Sequence, residues 1–290
     1  MVAPKGPFRP SRYLKPQSVL EAVEMLRGHE GRARILAGGT DLLVERDPSV
    51  EALVDIEGLR LAYVRELDGG TSVGAATTIA RIAEAEELDT PALGALRECA
   101  KSMATPQIRN VATIGGNVCT ASSSGDFAPA LLALGASVTV AGANENWEIS
   151  LEDFFVGNRR TVLQPHDIAL SFFIPTRPAT TGAAFTRVSR AHTDIALVNV
   201  GVRVDLDPTE TVVGVRIVLG AVGPTPLRAR KAERSLLGRK MSLQAAQAAG
   251  SIARGETRPI SDHRTTAEYR RAVSGVLVER ALLTAVSRIA

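Results

Sequence analysis

The sequence predicts an α+β fold arranged in three sections. A helical pattern followed by strands and a glycine pair fills residues 1–58, mixed strand and helix patterns fill residues 59–176, and strands followed by helices fill residues 177–290. Segregation of strands from helices, rather than a regular alternation of the two, is typical of α+β proteins.

The first section begins with a helix and continues into two short strands. Residues 1–15 are predicted as an extended arm, punctuated by prolines. Ser18 predicts the N-cap of the helix, and Glu21 stands three residues later, which is the spacing of a capping box. Residues 35–37 and 52–56 predict buried strands, the first of which stops at a glycine pair.

The middle section predicts antiparallel strands and helices. Gly69-Gly70, between two alternating stretches, indicates a hairpin. Residues 91–101 and 128–134 predict helices. Residues 107–119 contain a strand-like run that two glycines interrupt.

The last section predicts strands and then helices. Asp207-Pro208 predicts the turn between two strands, and residues 243–253 and 267–289 have amphipathic helical patterns. A linker from the middle section is marked by Pro175, Pro178 and Gly182.

Composition indicates a globular protein and argues against several functions. The formal net charge is +3, and the charges are interspersed rather than gathered in a basic stripe, so no nucleic-acid partner is expected. No apolar run is long enough for a membrane span. Because the first residues lack a signal-peptide core and the 2 cysteines give no disulfide framework, we expect a cytoplasmic location.

The sequence also lacks the ligand sets of common metal sites and several common nucleotide-binding and catalytic motifs. An iron–sulfur cluster generally needs four cysteines, and a zinc site needs closely spaced Cys and His, whereas this chain has 2 cysteines and 4 scattered histidines. We therefore expect no metal site here. The chain has no P-loop, no complete GxGxxG, no GxSxG and no HExxH, so kinase and hydrolase hypotheses lose their usual support.

Two glycine loops remain as candidate binding sites. The first glycine loop is Ala37-Gly38-Gly39-Thr40-Asp41, and the second glycine loop is Thr113-Ile114-Gly115-Gly116-Asn117. Paired glycines permit positive φ and leave no Cβ in the way, so successive N–H groups can converge on a phosphate. Taken alone, each loop is more often an ordinary turn. Together they favour two walls of a cleft that binds a nucleotide cofactor.

The second loop lies in a segment with a specific resemblance. Residues 105–117, TPQIRNVATIGGN, continue through Ala121-Ser122 to Asp126 and Pro129, and closely resemble the flavin module of molybdenum hydroxylases, the family of carbon-monoxide and xanthine dehydrogenases. The upstream AGGTDLL resembles the first FAD loop of that family. Further matches at Phe154-Phe155 and over residues 262–282 extend the resemblance to nearly the whole chain.

The resemblance implies a vanillyl-alcohol-oxidase-type (PCMH-type) FAD-binding fold. Two FAD-binding subdomains, residues 1–58 and 59–176, would precede a C-terminal α+β domain, residues 177–290, made of an antiparallel sheet with helices. FAD would be held non-covalently, without a link to Cys119. Its pyrophosphate would be wrapped by Ile35, Leu36, Ala37, Gly38, Gly39, Thr40, Asp41 and Leu42 and, from the other side, by Thr113, Gly115, Gly116 and Asn117.

Three further residues are implied near the cofactor. Asp126 matches an acidic position that would accept hydrogen bonds from FAD hydroxyls; its alternative role is a helix N-cap. Ile195 matches the xanthine dehydrogenase branch at the flavin ring, where carbon-monoxide dehydrogenases have Tyr, and its alternative role is core packing. Arg187 would favour the reduced flavin anion or bind NAD, and its alternative is a solvated strand arginine.

The family implies an electron-transfer subunit without a catalytic acid or base of its own. A large molybdopterin subunit would hydroxylate the substrate, and the [2Fe-2S] clusters of a small iron–sulfur subunit would pass electrons to FAD in this chain. NAD, O2 or a quinone would then take them, in a dimer of heterotrimers. Two alternatives stay open, namely a stand-alone FAD-dependent oxidase of the same fold and a non-catalytic nucleotide-binding protein.

Overall fold

A computed structural model describes residues 7–289. Residues 1–6 and residue 290 lie outside the described residues. Residues 1–6 include part of the predicted arm and part of the N-terminal segment in which no signal-peptide core was found. The α-helices, α1 to α11, are Val19–Gly28, Leu42–Glu45, Ile79–Glu84, Gly94–Ser102, Pro106–Arg109, Ile114–Thr120, Phe127–Leu134, Leu151–Phe154, Arg230–Leu236, Leu243–Glu256 and Ala267–Ser287. The strands, β1 to β14, are Arg12–Leu14, Ala33–Leu36, Ala52–Asp55, Val64–Leu67, Gly70–Gly74, Ser137–Ala141, Asn146–Ser150, Phe155–Gly157, Arg160–Thr161, Ile168–Pro175, Thr181–Val188, Val198–Leu206, Val212–Gly220 and Leu227–Arg228.

Three main sheets follow one another along the chain. The first is parallel, in the order β1-β3-β2, and α1 packs on it. The second is antiparallel, in the order β4-β5-β10-β6-β7, and the third is antiparallel, in the order β11-β12-β13-β14. The predicted α+β class is confirmed. The predicted boundaries after residues 58 and 176 fall between these sheets, and the division into three domains stays our proposal.

Local signals in the sequence explain several element ends. Ser18 Oγ accepts a hydrogen bond from Glu21 N–H over 3.1 Å, which confirms the predicted N-cap of α1. The Glu21 carboxylate accepts from Gln17 N–H at 2.6 Å, one residue before the position that a capping box would use. The predicted hairpin is also confirmed, since β4 and β5 pair across the turn that ends at Gly69-Gly70.

Two predictions of local structure are wrong. Residues 107–119 form no strand, because Thr105 caps α5 and Thr113 caps α6, so the segment is mostly helical. Gly182 does not belong to a linker: it lies in β11, where a Cβ atom would overlap the carbonyl oxygen of Ala285 on α11. Glycine at this position therefore permits close packing of the last helix on the third sheet.

Helix α7 lies between the second and third sheets, and all of its residues are buried. Gly201 on β12 allows the close approach, because a Cβ there would stand 2.5 Å from the Pro129 carbonyl oxygen. At its C-terminal end, Arg216 Nη1 donates to Leu132 O at 3.2 Å and Arg177 Nη2 donates to Leu134 O at 3.3 Å. Cations suit the negative end of a helix dipole, so these contacts stabilise the C-terminal end of the helix.

The described residues also bear on membrane and metal binding. Among the helices in residues 7–289, none combines the length and the apolar character that a bilayer crossing requires. Over the same residues, no three His, Cys, Asp or Glu side chains group in a way that could hold a metal ion.

Candidate cofactor site

The first glycine loop connects β2 to α2 and touches the second loop's segment. The parallel ladder ends where Ile56 N–H donates to Leu36 O over 3.1 Å. Gly39 then adopts a φ of 70°, a left-handed conformation that favours glycine. A Cβ at Gly38 would overlap the carbonyl oxygen of Val111, just before α6. Glycine at position 38 therefore allows the two loop regions to meet backbone to backbone.

The first glycine loop carries free hydrogen-bond donors. Within the described part of the chain, the N–H groups of residues 37–42 donate to no other protein group, and the Thr40 hydroxyl has no partner. The next N–H group, that of Leu43, donates to the carbonyl oxygen of Gly39 at 2.9 Å. Asp41 Oδ2 accepts from the Thr120 hydroxyl at 3.2 Å, which ties this loop to α6. A run of free N–H groups around a left-handed turn can bind an anion.

The second glycine loop is the start of α6, and the protein uses its N–H groups. Thr113 is the N-cap, and its hydroxyl accepts from Gly116 N–H at 3.0 Å. Gly115 N–H donates to Ala75 O at 2.8 Å, and a Cβ at Gly115 would stand 2.6 Å from the same oxygen. This glycine thus serves packing against the end of β5.

The four residues predicted on the second loop differ in accessibility. Thr113 and Gly115 are buried, whereas Gly116 is exposed and Asn117 is half-buried. Asn117 Oδ1 accepts from Phe127 N–H at 3.2 Å, so it caps the start of α7. Contacts of this loop with FAD stay a prediction, for which Gly116 and Asn117 present the accessible surface.

Asp126 occupies the N-terminal end of α7 and is 5% exposed. It holds the N-cap position of the alternative role, but its side chain makes no capping hydrogen bond. Oδ1 accepts from Asn199 Nδ2 at 2.5 Å and lies 3.7 Å from Arg187 Nε. Burial raises the pKa of Asp126, and the charge of Arg187 and the bond from Asn199 partly oppose that shift.

The surroundings of Arg187 and Ile195 contradict their alternative roles. The Arg187 side chain on β11 is 7% exposed, so it is not a solvated strand arginine. Its Nη1 donates to Ser102 O at 2.5 Å and its Nη2 donates to Asp194 O. Ile195, the next residue, is 59% exposed and therefore not core packing. Arg187 thus anchors the loop that presents an apolar side chain to solvent or to a ligand.

Two contacts of this site were missed by the sequence reasoning. Asn199 is fully buried and holds Asp126, and Thr120 holds Asp41. Asn199 is the amide in the otherwise apolar stretch VNVGV, and a buried amide requires a partner, so the sequence held a signal. The pairing of Thr120 with Asp41 spans 79 residues and has no local signal.

Comparison with protein families matches almost the whole chain. Residues 7–177 match the family described as the FAD binding domain in molybdopterin dehydrogenase. Residues 183–285 match the family described as the CO dehydrogenase flavoprotein C-terminal domain.

Two curated relatives of similar length align over nearly the whole of both chains. The carbon monoxide dehydrogenase medium chain of Hydrogenophaga pseudoflava is 33% identical over 282 residues, covering 96% of this chain and 98% of the relative. The xanthine dehydrogenase FAD-binding subunit of Escherichia coli O157:H7 is 27% identical over 286 residues, covering 95% and 96%.

Solved structures share the fold. Carbon monoxide dehydrogenase from Hydrogenophaga pseudoflava superposes with a TM-score of 0.91 at 32% identity, covering 100% of both chains. Quinoline 2-oxidoreductase from Pseudomonas putida 86 superposes with a TM-score of 0.87 at 25% identity, covering 97% of this chain and 99% of the other.

Proposed function

This chain belongs to the family of FAD-binding subunits of molybdopterin dehydrogenases, and we propose that it acts as the electron relay of such a complex. It is an oxidoreductase subunit with FAD as its cofactor. In the proposed relay, electrons arrive singly from [2Fe-2S] clusters of a small partner subunit and leave for NAD, O2 or a quinone. The bound flavin supplies the redox chemistry, so the residues of this chain hold it, orient it and tune it.

The observation that carries the proposal is the row of free N–H groups at residues 37–42. A pyrophosphate is an anion that needs several donors and a backbone without side chains in the way. The loop fits these needs, because Thr40 adds a free hydroxyl and positions 38 and 39 carry no Cβ. We place the pyrophosphate against residues 35–42, with Gly116 and Asn117 closing the other side and the buried Thr113 and Gly115 supporting them.

Three further residues complete the proposed FAD site. Asp126 has one carboxylate oxygen, Oδ2, that accepts no hydrogen bond from residues 7–289, so it is available to a ribose or ribityl hydroxyl. The exposed Ile195 would cover the flavin ring. Arg187 holds the backbone beside Ile195 and places its positive charge close to Asp126.

The partners and the location belong to the same proposal. The relatives' names, which include medium chain, FAD-binding subunit and complex subunit alpha, support assembly with other chains. We propose a large molybdopterin subunit and a small iron–sulfur subunit, arranged as a dimer of heterotrimers in the cytoplasm. The substrate would be chosen by the large subunit.

The test is the absorption spectrum of the purified full chain, followed by acid release of the chromophore and metal analysis. We expect flavin bands, stoichiometric FAD released without proteolysis, and neither iron nor molybdenum. Mixing the chain with its reduced partner subunits under nitrogen should then bleach the flavin bands.

Two outcomes would overturn parts of the proposal. A colourless chain that takes up no added FAD would remove the cofactor role of the glycine loops. A flavin-containing chain that oxidises a substrate without partners would replace the relay by a stand-alone oxidase.

A further inference from the structure

The cofactor region is connected to the third sheet through the start of α7. Asn117 caps that helix, Asp126 precedes its first residue, and β12 crosses directly beneath it at Asn199. The close approach continues along the helix, where Gly201 meets the Pro129 carbonyl oxygen. The position of the Asp126 carboxylate is therefore set by contacts between the middle section and the C-terminal section.

The amide of Asn199 is buried, and its NH2 group is held by two acceptors. The side chain is fully buried, and Nδ2 donates both to Asp126 Oδ1 at 2.5 Å and to Gly125 O at 3.3 Å. Its Oδ1 has no hydrogen-bond partner and lies where a Cβ at Gly220 would overlap it. Two acceptors for one NH2 group define the orientation of the amide.

The opposite side of the carboxylate is defined by Arg187. Arg187 Nη1 and Nη2 are used by the carbonyl groups of Ser102 and Asp194, and its Nε has no hydrogen-bond acceptor. Nε lies 3.7 Å from Asp126 Oδ1, so it acts by charge rather than by a hydrogen bond. Only the amide of Asn199 is bonded to the carboxylate within the described residues, and it uses one of the two oxygens.

We infer that Asn199 is a positioning residue of the cofactor site. By holding Oδ1 of Asp126 from the third sheet, it leaves Oδ2 free and correctly turned to accept a hydroxyl of FAD. The inference rests on the proposed placement of FAD. If Asn199 has this role, the C-terminal section belongs to the cofactor site, although Asn199 itself need not contact the cofactor.

The charges around the carboxylate make a pH test possible. Burial raises the pKa of the Cys99 thiol on α4 and raises that of Cys119 on α6 to about 12, so both thiols are neutral in the physiological range. Arg187 on β11 supplies a positive charge. Burial raises the pKa of Asp126 above that of an exposed aspartate, and loss of the bond from Asn199 would raise it further.

The experiment compares FAD affinity of the full-length apo chain and its variants by quenching of flavin fluorescence across pH. Asn199→Asp keeps the shape but sets a second carboxylate against Asp126. We expect FAD to bind about tenfold or more weakly near pH 8, the effect of one charge-assisted hydrogen bond, and to recover as a shared proton restores the bond near pH 6. Thermal unfolding of the apo chains reports folding separately.

Further variants separate positioning from packing. Asn199→Ala removes the donor without adding charge, and its affinity should fall on acidification at a higher pH than in the wild type; it replaces Asn199→Asp if that variant does not fold. In the exchange variant Asp126→Asn with Asn199→Asp, the hydrogen bond returns with donor and acceptor reversed. We expect this variant to fold but to remain weak in FAD binding.

The outcomes distinguish this inference from the proposed function. Wild-type affinity at every pH in Asn199→Asp and Asn199→Ala, with FAD still bound, would overturn the positioning role and leave the flavin subunit intact. A loss in Asn199→Asp that is independent of pH, or full recovery in the exchange variant, would also overturn it. Failure of the wild-type chain to bind FAD would instead remove the proposed function itself.

Discussion

The first glycine loop, residues 37–41, and the second, residues 113–117, both combine a hydroxyl, paired glycines and a polar side chain, but the fold uses them differently. The N–H groups of the first have no protein partner in the described residues, whereas Gly115 and Gly116 in the second donate to Ala75 O and to the Thr113 hydroxyl. The first loop presents donors, and the second forms a rigid helix start. Composition alone therefore does not distinguish a loop that presents free donors from a loop whose donors are used within the protein.

The glycines also differ in why glycine is needed. At Gly38 a Cβ would overlap Val111 of the neighbouring segment, and at Gly115 it would press on Ala75, so both positions serve packing. At Gly39 the requirement is conformational, because φ is 70°. At Gly116 the closest neighbour of an added Cβ is the Thr113 hydroxyl at 3.1 Å, and the residue is exposed. Substitutions at these four positions should therefore separate packing, strain and cofactor contact.

The largest effect is expected for Gly38→Ala. The new methyl group must push the first loop away from Val111, so we expect both loss of FAD and a fall of about 1–3 kcal/mol in the unfolding free energy of the apo chain. Urea unfolding and flavin titration measure the two effects. Gly28→Ala is the matched control, because a Cβ there meets nothing within 4 Å. If Gly38→Ala unfolded like this control and bound FAD fully, the close contact between the loop regions would be needed neither for stability nor for FAD binding.

The intermediate effect is expected for Gly39→Ala. A left-handed conformation costs an L-residue about 1–2 kcal/mol, and relief of that strain would rotate the free N–H groups out of place. Gly39→Asn should lose less, because asparagine tolerates this region better. We therefore expect FAD affinity to decrease from glycine to asparagine to alanine. Equal affinities for the two variants would indicate that strain at this position does not govern the loop.

How much of the fold and of the candidate site could be predicted from the sequence depends on how far apart the interacting residues lie along the chain. The paired glycines were found because the signal is local, and so were the cap at Ser18 and the hairpin at Gly69-Gly70. Residues 107–119 were misassigned as a strand because β-branched residues outweighed the N-cap signals of Thr105 and Thr113.

The contacts that complete the site join residues far apart in sequence. Asn199 meets Asp126 across 73 residues, and Thr120 meets Asp41 across 79. No local sequence pattern indicates the partner of Asn199 or of Thr120. The packing of α7 on the third sheet brings the first pair together, and the packing of α6 against the first glycine loop brings the second pair together. The resemblance supplied Asp126 as a candidate, but its surroundings required the fold.

The smallest effect on folding is expected for Gly116→Ala. This variant is also the most informative for the comparison of the two glycine loops. Alanine favours the helical conformation over glycine by up to about 1 kcal/mol, which offsets the tight contact with the Thr113 hydroxyl, so apo stability should change little. If Gly116 forms the second wall of the cleft, the added methyl group occupies the exposed surface that FAD approaches, and affinity should fall while stability holds. Flavin titration beside urea unfolding makes the measurement, with Gly28→Ala again as control. An affinity equal to the wild type would mean that the first loop binds the pyrophosphate alone and that the second loop acts only through α6 and its cap on α7.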